Sequence, residues 1–159
     1  MAFTICIKIG DIAGESTVAN HAGEIDVLSW GWGLNQSASG QVGGAGSGTA
    51  DVKDLTFTKF VDNSSPTLIQ QCFEGNNLGD TVLTVIKANG KEVLEFIKIT
   101  MSGTVIISSI NTGDPLPNDR YSETVTLNFS HVKFEYTPTG PDNSKGATAA
   151  GEFTISRRA

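Results

Sequence analysis

The sequence predicts a mainly β fold: a compact antiparallel β-barrel of about eight strands, with one short flanking α-helix and an extended glycine-rich loop. Three observations carry that expectation. Apolar residues recur at every second position in short runs bounded by turn signals. Helical spacing occurs in one stretch. Residues 38–50, ASGQVGGAGSGTA, hold five glycines and no charge, so they cannot form a core of their own and read as a long loop.

The chain of 159 residues is long enough to bury a substantial core and is expected to form a single domain over 1–159. Its formal charge is −6 and its Lys and Arg are scattered, which argues against a nucleic-acid partner, since that needs a basic stripe. Its apolar runs are too short and interrupted to span a bilayer, so membrane insertion is not expected. Cys6 and Cys72 lie far apart and allow one disulfide at most; two reduced, packed thiols of a cytoplasmic protein are the expectation. The N-terminus MAFTICIKIGD lacks a basic leader region, and Lys8 and Asp11 interrupt it. Export would therefore use a route without a cleaved signal peptide.

Taken in order, Phe3, Ile5, Ile7 and Ile9 alternate with Thr4, Cys6 and Lys8, giving a half-buried strand. Each of the four apolar side chains stabilises by roughly 1.5–3 kcal/mol when buried. Gly10-Asp11 turns the chain into the loop IAGESTVANHAG. Residues 24–37, EIDVLSWGWGLNQS, start as a strand with Ile25 and Val27 on one face. Leu28, Trp30, Trp32 and Leu34 then form a heavy apolar row expected in the core, with Ser29, Gly31 and Gly33 opposite. The apolar phase changes between Val27 and Leu28, as happens at a bulge or where a strand leaves one packing environment for another. The opposite row is nearly bare backbone and suits a surface that something else approaches closely.

Residues 52–61 return as a strand, with Leu55 and Phe57 on one face and Thr56 and Thr58 on the other. Ser64-Ser65-Pro66 starts a helix, with a serine cap and proline at the first helical position. Leu68, Ile69, Cys72 and Phe73 follow at helical spacing, and Gly75 ends it; so short a helix must dock on the strands. Strands at 81–87 and 92–101 flank an Asn89-Gly90 hairpin signal. A further strand at 105–110 is closed by the loop NTGDPLPNDR. Residues 121–136 show Val125, Leu127 and Phe129 in one phase and Val132, Phe134 and Tyr136 in the other, which marks a bulge or bend near Ser130-His131. Residues 138–146 are loop, and Phe153 with Ile155 marks a short last strand.

Chemistry is sparse. His21 falls in a loop and His131 at a strand bend, and no G-x-S-x-G elbow accompanies either, so both are expected to be hydrogen-bonded or solvated imidazoles. Neither cysteine has a ligand-spaced neighbour, so no metal and no cofactor are expected. The glycine loop lacks the lysine of a phosphate-binding loop and reads as a surface loop or one ordered by a partner protein. Tyr121, Tyr136 and the two tryptophans are expected in the core or at the barrel rim, with an aromatic ligand platform as the alternative.

The runs FTICIKIGDIAGES, EIDVLSWGWGLNQSAS, DLTFTKFVDNSSPTL and ETVTLNFSHVKFEY, in that order, resemble the haemolysin-coregulated protein (Hcp) family, the tube subunits of bacterial type VI secretion. The resemblance covers nearly the whole chain and implies a structural protein and not an enzyme. It implies a homohexameric ring, stacking into a tube inside a contractile sheath and expelled with a spike from the cytoplasm to the exterior. It also implies small effector proteins carried in the lumen. By the same resemblance the ring-stacking loop maps to Ser39, Gly40, Gln41, Val42, Gly43, Gly44, Ala45, Gly46, Ser47, Gly48 and Thr49, and the lumen contact to Leu28, Ser29 and Gly31. A polar residue is common in the family where Gly31 stands. The chain stops soon after Phe153-Thr154-Ile155, which implies no C-terminal effector domain. The alternative from a different class is a monomeric β-barrel module binding a small ligand or carbohydrate at an aromatic rim.

Overall fold

The structure, a computed structural model, describes residues 3–36, 50–89, 92–139 and 145–155. Along them run β1 (Phe3–Ile9), β2 (Ile25–Val27), β3 (Ser29–Gly31), β4 (Leu34–Gln36), β5 (Ala50–Val52), β6 (Leu55–Phe60), α1 (Ser65–Glu74), β7 (Thr81–Asn89), β8 (Glu92–Leu116), β9 (Arg120–Tyr136) and β10 (Ala149–Thr154). One antiparallel sheet has the order β2-β1-β7-β8-β9-β6-β3, with β10 added along the far half of β9; β4 and β5 form a separate ribbon. The fold is thus mainly β with one short helix, as the periodicity predicts. The glycine-rich loop at 39–49 lies outside the described residues.

Strands β2 and β3 occupy opposite ends of the sheet order, yet Leu28 alone separates them in sequence. The sheet therefore has to curl until its ends meet. The Leu28 N–H donates to the Thr58 carbonyl of β6 at 2.7 Å, which joins the two ends. This is the physical origin of the phase change after Val27: the chain leaves its pairing with β1 and takes up a pairing with β6. The concave side is filled by Ile7, Ile9, Ile25, Leu55, Phe57, Leu83, Ile99, Met101, Val125 and Leu127, all without exposed surface. Trp30 and Trp32 pack against this core half-buried, but Leu28 and Leu34 are exposed. The expected apolar row is broken because its four members fall in four different backbone settings: Leu28 at the sheet junction, Trp30 in β3, Trp32 in the connector after it, and Leu34 in the separate ribbon.

Two further expectations are corrected, and a third is borne out with its extra residue placed on the partner strand. The loop NTGDPLPNDR is mostly strand: β8 runs unbroken for 25 residues, and Pro117, Asn118 and Asp119 alone make the turn to β9, the last two with positive φ. Register shifts at Ser102/Val105, Ile107/Ser109 and Thr112/Asp114 absorb the extra residues, with Gly103 and Gly113 at φ 77° and 100°. The slip expected at Ser130-His131 is real, but the extra residue sits opposite, on β8. The ladder between β7 and β8 extends to Asn89 opposite Glu92, so the connecting residues are 90 and 91, outside the described ones, and not Asn89-Gly90.

Helix α1 covers the predicted span and stops at Gly75, whose φ of 65° lets its N–H reach the Cys72 and Gln71 carbonyls. Its cap differs from expectation. The Ser64 hydroxyl donates to Asp62 Oδ1, and that same oxygen accepts from the Ser64 N–H at 2.9 Å, while the Asp62 N–H donates to Ser65 Oγ at 3.0 Å. Asp62 therefore orders the turn that leads into the helix, its carboxylate accepting from Ser64 and its N–H donating to Ser65, while Ser64 itself makes no side-chain cap. Leu68 is buried, but Ile69 and Phe73 face solvent, Phe73 with 88% of its surface exposed. The helix rests on the barrel along one narrow stripe.

Candidate functional site: an uncharged sheet face

The bare row of β3 does not stand alone. Register places Gly31, Thr56, Thr126 and Ser109 side by side across β3, β6, β9 and β8, and Ser29, Thr58, Thr124 and Asn111 in the next row. Alternation sends the intervening Trp30, Phe57, Val125 and Ile110 inward. All eight outward positions are short and uncharged, in a chain whose residues are 18% charged. The hydroxyls largely satisfy one another: Ser29 Oγ and Thr58 Oγ1 lie 2.6 Å apart, Thr56 and Thr126 Oγ1 3.3 Å. Such cross-strand pairs each stabilise a sheet by about 0.2–1 kcal/mol.

Charge appears at the margins. Asp54 is held by the Ser108 hydroxyl at 2.7 Å and the Asn128 amide at 2.8 Å, beside Lys53 in a shallow groove shared with Gly31, Trp32 and Gly33. Trp32 is fixed there by its Nε1–H, which donates to the Lys53 carbonyl at 2.9 Å, and by Phe129 and Phe134 with ring centres 6.3 and 6.4 Å away. A Cβ built on Gly31 or Gly33 would meet no atom of the described residues within 4 Å beyond its own chain neighbours, and neither residue has a positive φ. Nothing among the described residues requires glycine at these positions, and at Gly31 it weakens a strand.

Of the residues expected at the lumen, Ser29 and Gly31 share this face, and Leu28 is exposed at its edge, at the junction of β2 and β3. The eleven residues of the expected stacking loop lie outside the described ones. Tyr121 and Tyr136 are exposed near opposite ends of β9 and do not converge.

Neither histidine belongs to this face. His21 is buried between two carboxylates, and His131 pairs through Nδ1 with the Thr154 hydroxyl at 2.9 Å. Cys6 and Cys72 are free thiols. Burial pushes the Cys6 thiol up from its ordinary value; the Ser16 hydroxyl opposes this at 3.5 Å, and Asp26 and Glu24 add to it. Among the described residues, no three of His, Cys, Asp and Glu converge as a metal site.

The residues that periodicity missed are Lys59 and Glu123. Both are fully buried, with Lys59 Nζ 2.5 Å from Glu123 Oε2, 3.0 Å from Asp62 Oδ1 and 2.8 Å from the Phe60 carbonyl. The Ser65 hydroxyl, on the first turn of α1, donates to the same Glu123 oxygen at 2.6 Å. The signal was present: Lys59 is in phase with Leu55 and Phe57, and Glu123 with Val125 and Leu127. Two opposite charges in the apolar phase of neighbouring strands mark an internal ion pair.

Comparison with known proteins agrees with the architecture. A family model described as "Type VI secretion system effector, Hcp" matches residues 6–136. The chain is 44% identical over 146 residues to "Protein hcp1" of Pseudomonas aeruginosa, spanning 91% of this chain and 90% of that one. Among solved structures it is similar to Hcp1 from Salmonella typhimurium, at 32% identity and a TM-score of 0.80 over 98% of this chain and 96% of that one. A second, titled as a type six secretion system protein, gives 26% identity and a TM-score of 0.87 over 97% and 96%. The protein therefore belongs to the Hcp family of type VI secretion proteins.

Proposed function

We propose that this chain is a structural subunit of the type VI secretion inner tube, with no catalytic role. Six copies close into a ring, and the uncharged face bearing Ser29 and Gly31 turns towards the central channel with Leu28 at its rim. Rings stack through the loop 39–49, and the tube leaves the cytoplasm for the exterior when the sheath contracts behind the spike. Small effector proteins travel in the channel.

The observation that carries this reading is the face itself: two rows of short, neutral side chains, several bonded to one another, with a glycine at Gly31 that nothing among the described residues requires. A channel wall needs that chemistry, because long charged side chains would fill the bore and hold cargo by ion pairs. Neutrality here also answers an electrostatic problem. Six chains of charge −6 make a ring of −36, and a neutral wall adds nothing to that repulsion at the bore.

Size measurement in solution tests the assembly, with electron microscopy of the same sample. Rings of six times the chain mass with a central hole are expected. A single-chain species would overturn the reading and favour a monomeric binding module using the exposed Tyr121 or Tyr136.

A further inference from the structure

At the margin of the neutral face stands one anchored carboxylate. Asp54 precedes β6 in the outward phase of Thr56 and Thr58, and Asn128 continues the outward phase of Thr124 and Thr126 on β9. The Asn128 amide donates to Asp54 Oδ1 at 2.8 Å. The Ser108 hydroxyl, from the β8 bulge between Ile107 and Ser109, donates to Oδ2 at 2.7 Å. Two other strands thus orient a carboxyl group that is only partly buried.

On the β3 side its neighbours carry no side chains. The Lys53 N–H donates to the Gly33 carbonyl at 3.0 Å, so residues 31–33 run alongside residues 53–56. A Cβ at Gly31 or Gly33 would stand in open space among the described residues. What remains is an open groove of about 380 Å³, lined by Gly31, Trp32, Gly33, Lys53, Asp54 and Thr56. Any larger residue at 31 or 33 would put its side chain there. Glycine in a strand often marks a place where a ligand or another backbone comes close.

The chemistry of the groove selects its occupant. An ionised carboxylate offers about four acceptor positions. Ser108 and Asn128 each use one oxygen, which leaves room on both for a further donor. A guanidinium presents paired N–H donors in a planar fork that matches the two oxygens of a carboxylate. Trp32, fixed by its bond to the Lys53 carbonyl, adds an aromatic surface that attracts a cation. Lys53 is the only other charged residue lining the groove; it is exposed, and no ion pair joins it to Asp54 among the described residues. Its ammonium rides on a long stem and can turn to water, whereas Asp54 is held. The formal charge of −6 favours a basic partner over the whole molecule.

We infer that the groove at Asp54 is a binding site for an arginine side chain of the cargo, which enters over Gly31 and Gly33 and donates to both carboxylate oxygens. This rests on the reading of the face as the channel wall. One anchored carboxylate per subunit then gives an otherwise neutral wall a single, repeated point of hold.

Peptide titration of the full-length protein, followed by NMR, tests this. The probe is the acetylated, amidated peptide Gly-Gly-Arg-Gly-Gly, and its control carries citrulline, which has nearly the same shape without the charge. The reporters are the Trp32 indole N–H, the Gly31 and Gly33 amides and the Asn128 side-chain amide. The arginine peptide is expected to shift all of them, and either citrulline or Asp54→Asn is expected to weaken binding by about tenfold or more. Equal affinity for the two peptides overturns the inference. So does silence at these signals, or an Asp54→Asn variant that melts like the unaltered protein and binds as tightly. Microscopy of the same sample reads ring formation separately. Intact rings whose groove ignores arginine overturn the site alone, and single chains whose groove binds it support the site while overturning the channel.

Discussion

Lys59 and Glu123 form an ion pair inside the barrel, 2.5 Å apart, with neither side chain exposed. Ser65 and Asp62 join it, so the start of α1 is pinned to β6 and β9 by a buried polar cluster. Glu123 Oε1 has no partner among the described residues. Removing one member strands a fully buried charge, whereas removing both leaves only the partly exposed Asp62, which keeps its bonds from Ser64. Lys59→Met alone is expected to cost about 3–5 kcal/mol in urea denaturation, and Lys59→Met with Glu123→Leu is expected to recover most of that loss. Equal losses in the single and double variants would show that the pair is net stabilising.

Along α1, Leu68 and Phe73 are both apolar, but one is buried and the other exposed. Leu68→Ala is expected to cost about 2–5 kcal/mol. Phe73→Ser should change stability by no more than about 0.5 kcal/mol. Thermal melts of the two variants measure this directly, and the reverse order would mean the helix is rotated about its axis.

Three positions separate the two faces of the barrel wall. Gly31→Gln adds a side chain to open space on the neutral face and should leave folding and ring size unchanged while lowering retention of co-purified effectors. Trp30→Ala removes a half-buried ring packed on the core and is expected to destabilise by up to about 3–5 kcal/mol. Gly103→Ala is expected to harm the fold as well, because its φ is 77° and the added carbon would fall 2.0 Å from Ser130 Oγ. Denaturation curves beside effector pull-downs would show the split; unfolding by Gly31→Gln would reverse the assignment of faces.

Shortening the loop 39–49 is expected to leave single rings intact and weaken stacking. Negative-stain images of the purified variant test it. Loss of the ring itself would assign the loop to contacts within a ring.

Much of this architecture is legible in local periodicity. Strand β1, the span of α1, the β7–β8 hairpin and the phase change at Leu28 follow from patterns a few residues long. The polar phase of Thr56 and Thr58 is equally plain. What periodicity does not carry is the partner of each element. Pro115, Gly113 and Asn111 read as loop because their turn chemistry is strong, yet pairing with β9 draws that stretch into a strand and leaves bulges where the two disagree. Ile69 and Phe73 have the spacing of a buried face, but spacing does not say how wide a stripe the barrel offers. The neutral eight-residue face appears only once register brings four separate strands side by side.

Because Leu28 alone carries the chain from one end of the sheet to the other, it also fixes an order of events. β8 and β9 are joined by a three-residue turn and can pair as soon as both are made. β2 pairs with β1 and β3 with β6, at opposite ends of the sheet, so the clasp between them completes only when both ends are in place. Closure of the barrel is then a late, single-residue clasp, and a chain caught before it exposes both rims of the sheet at once. Such an intermediate is a template for another chain's strands. In the proposed ring, the moment before Leu28 seats is when a neighbour can be mistaken for the missing half of the fold.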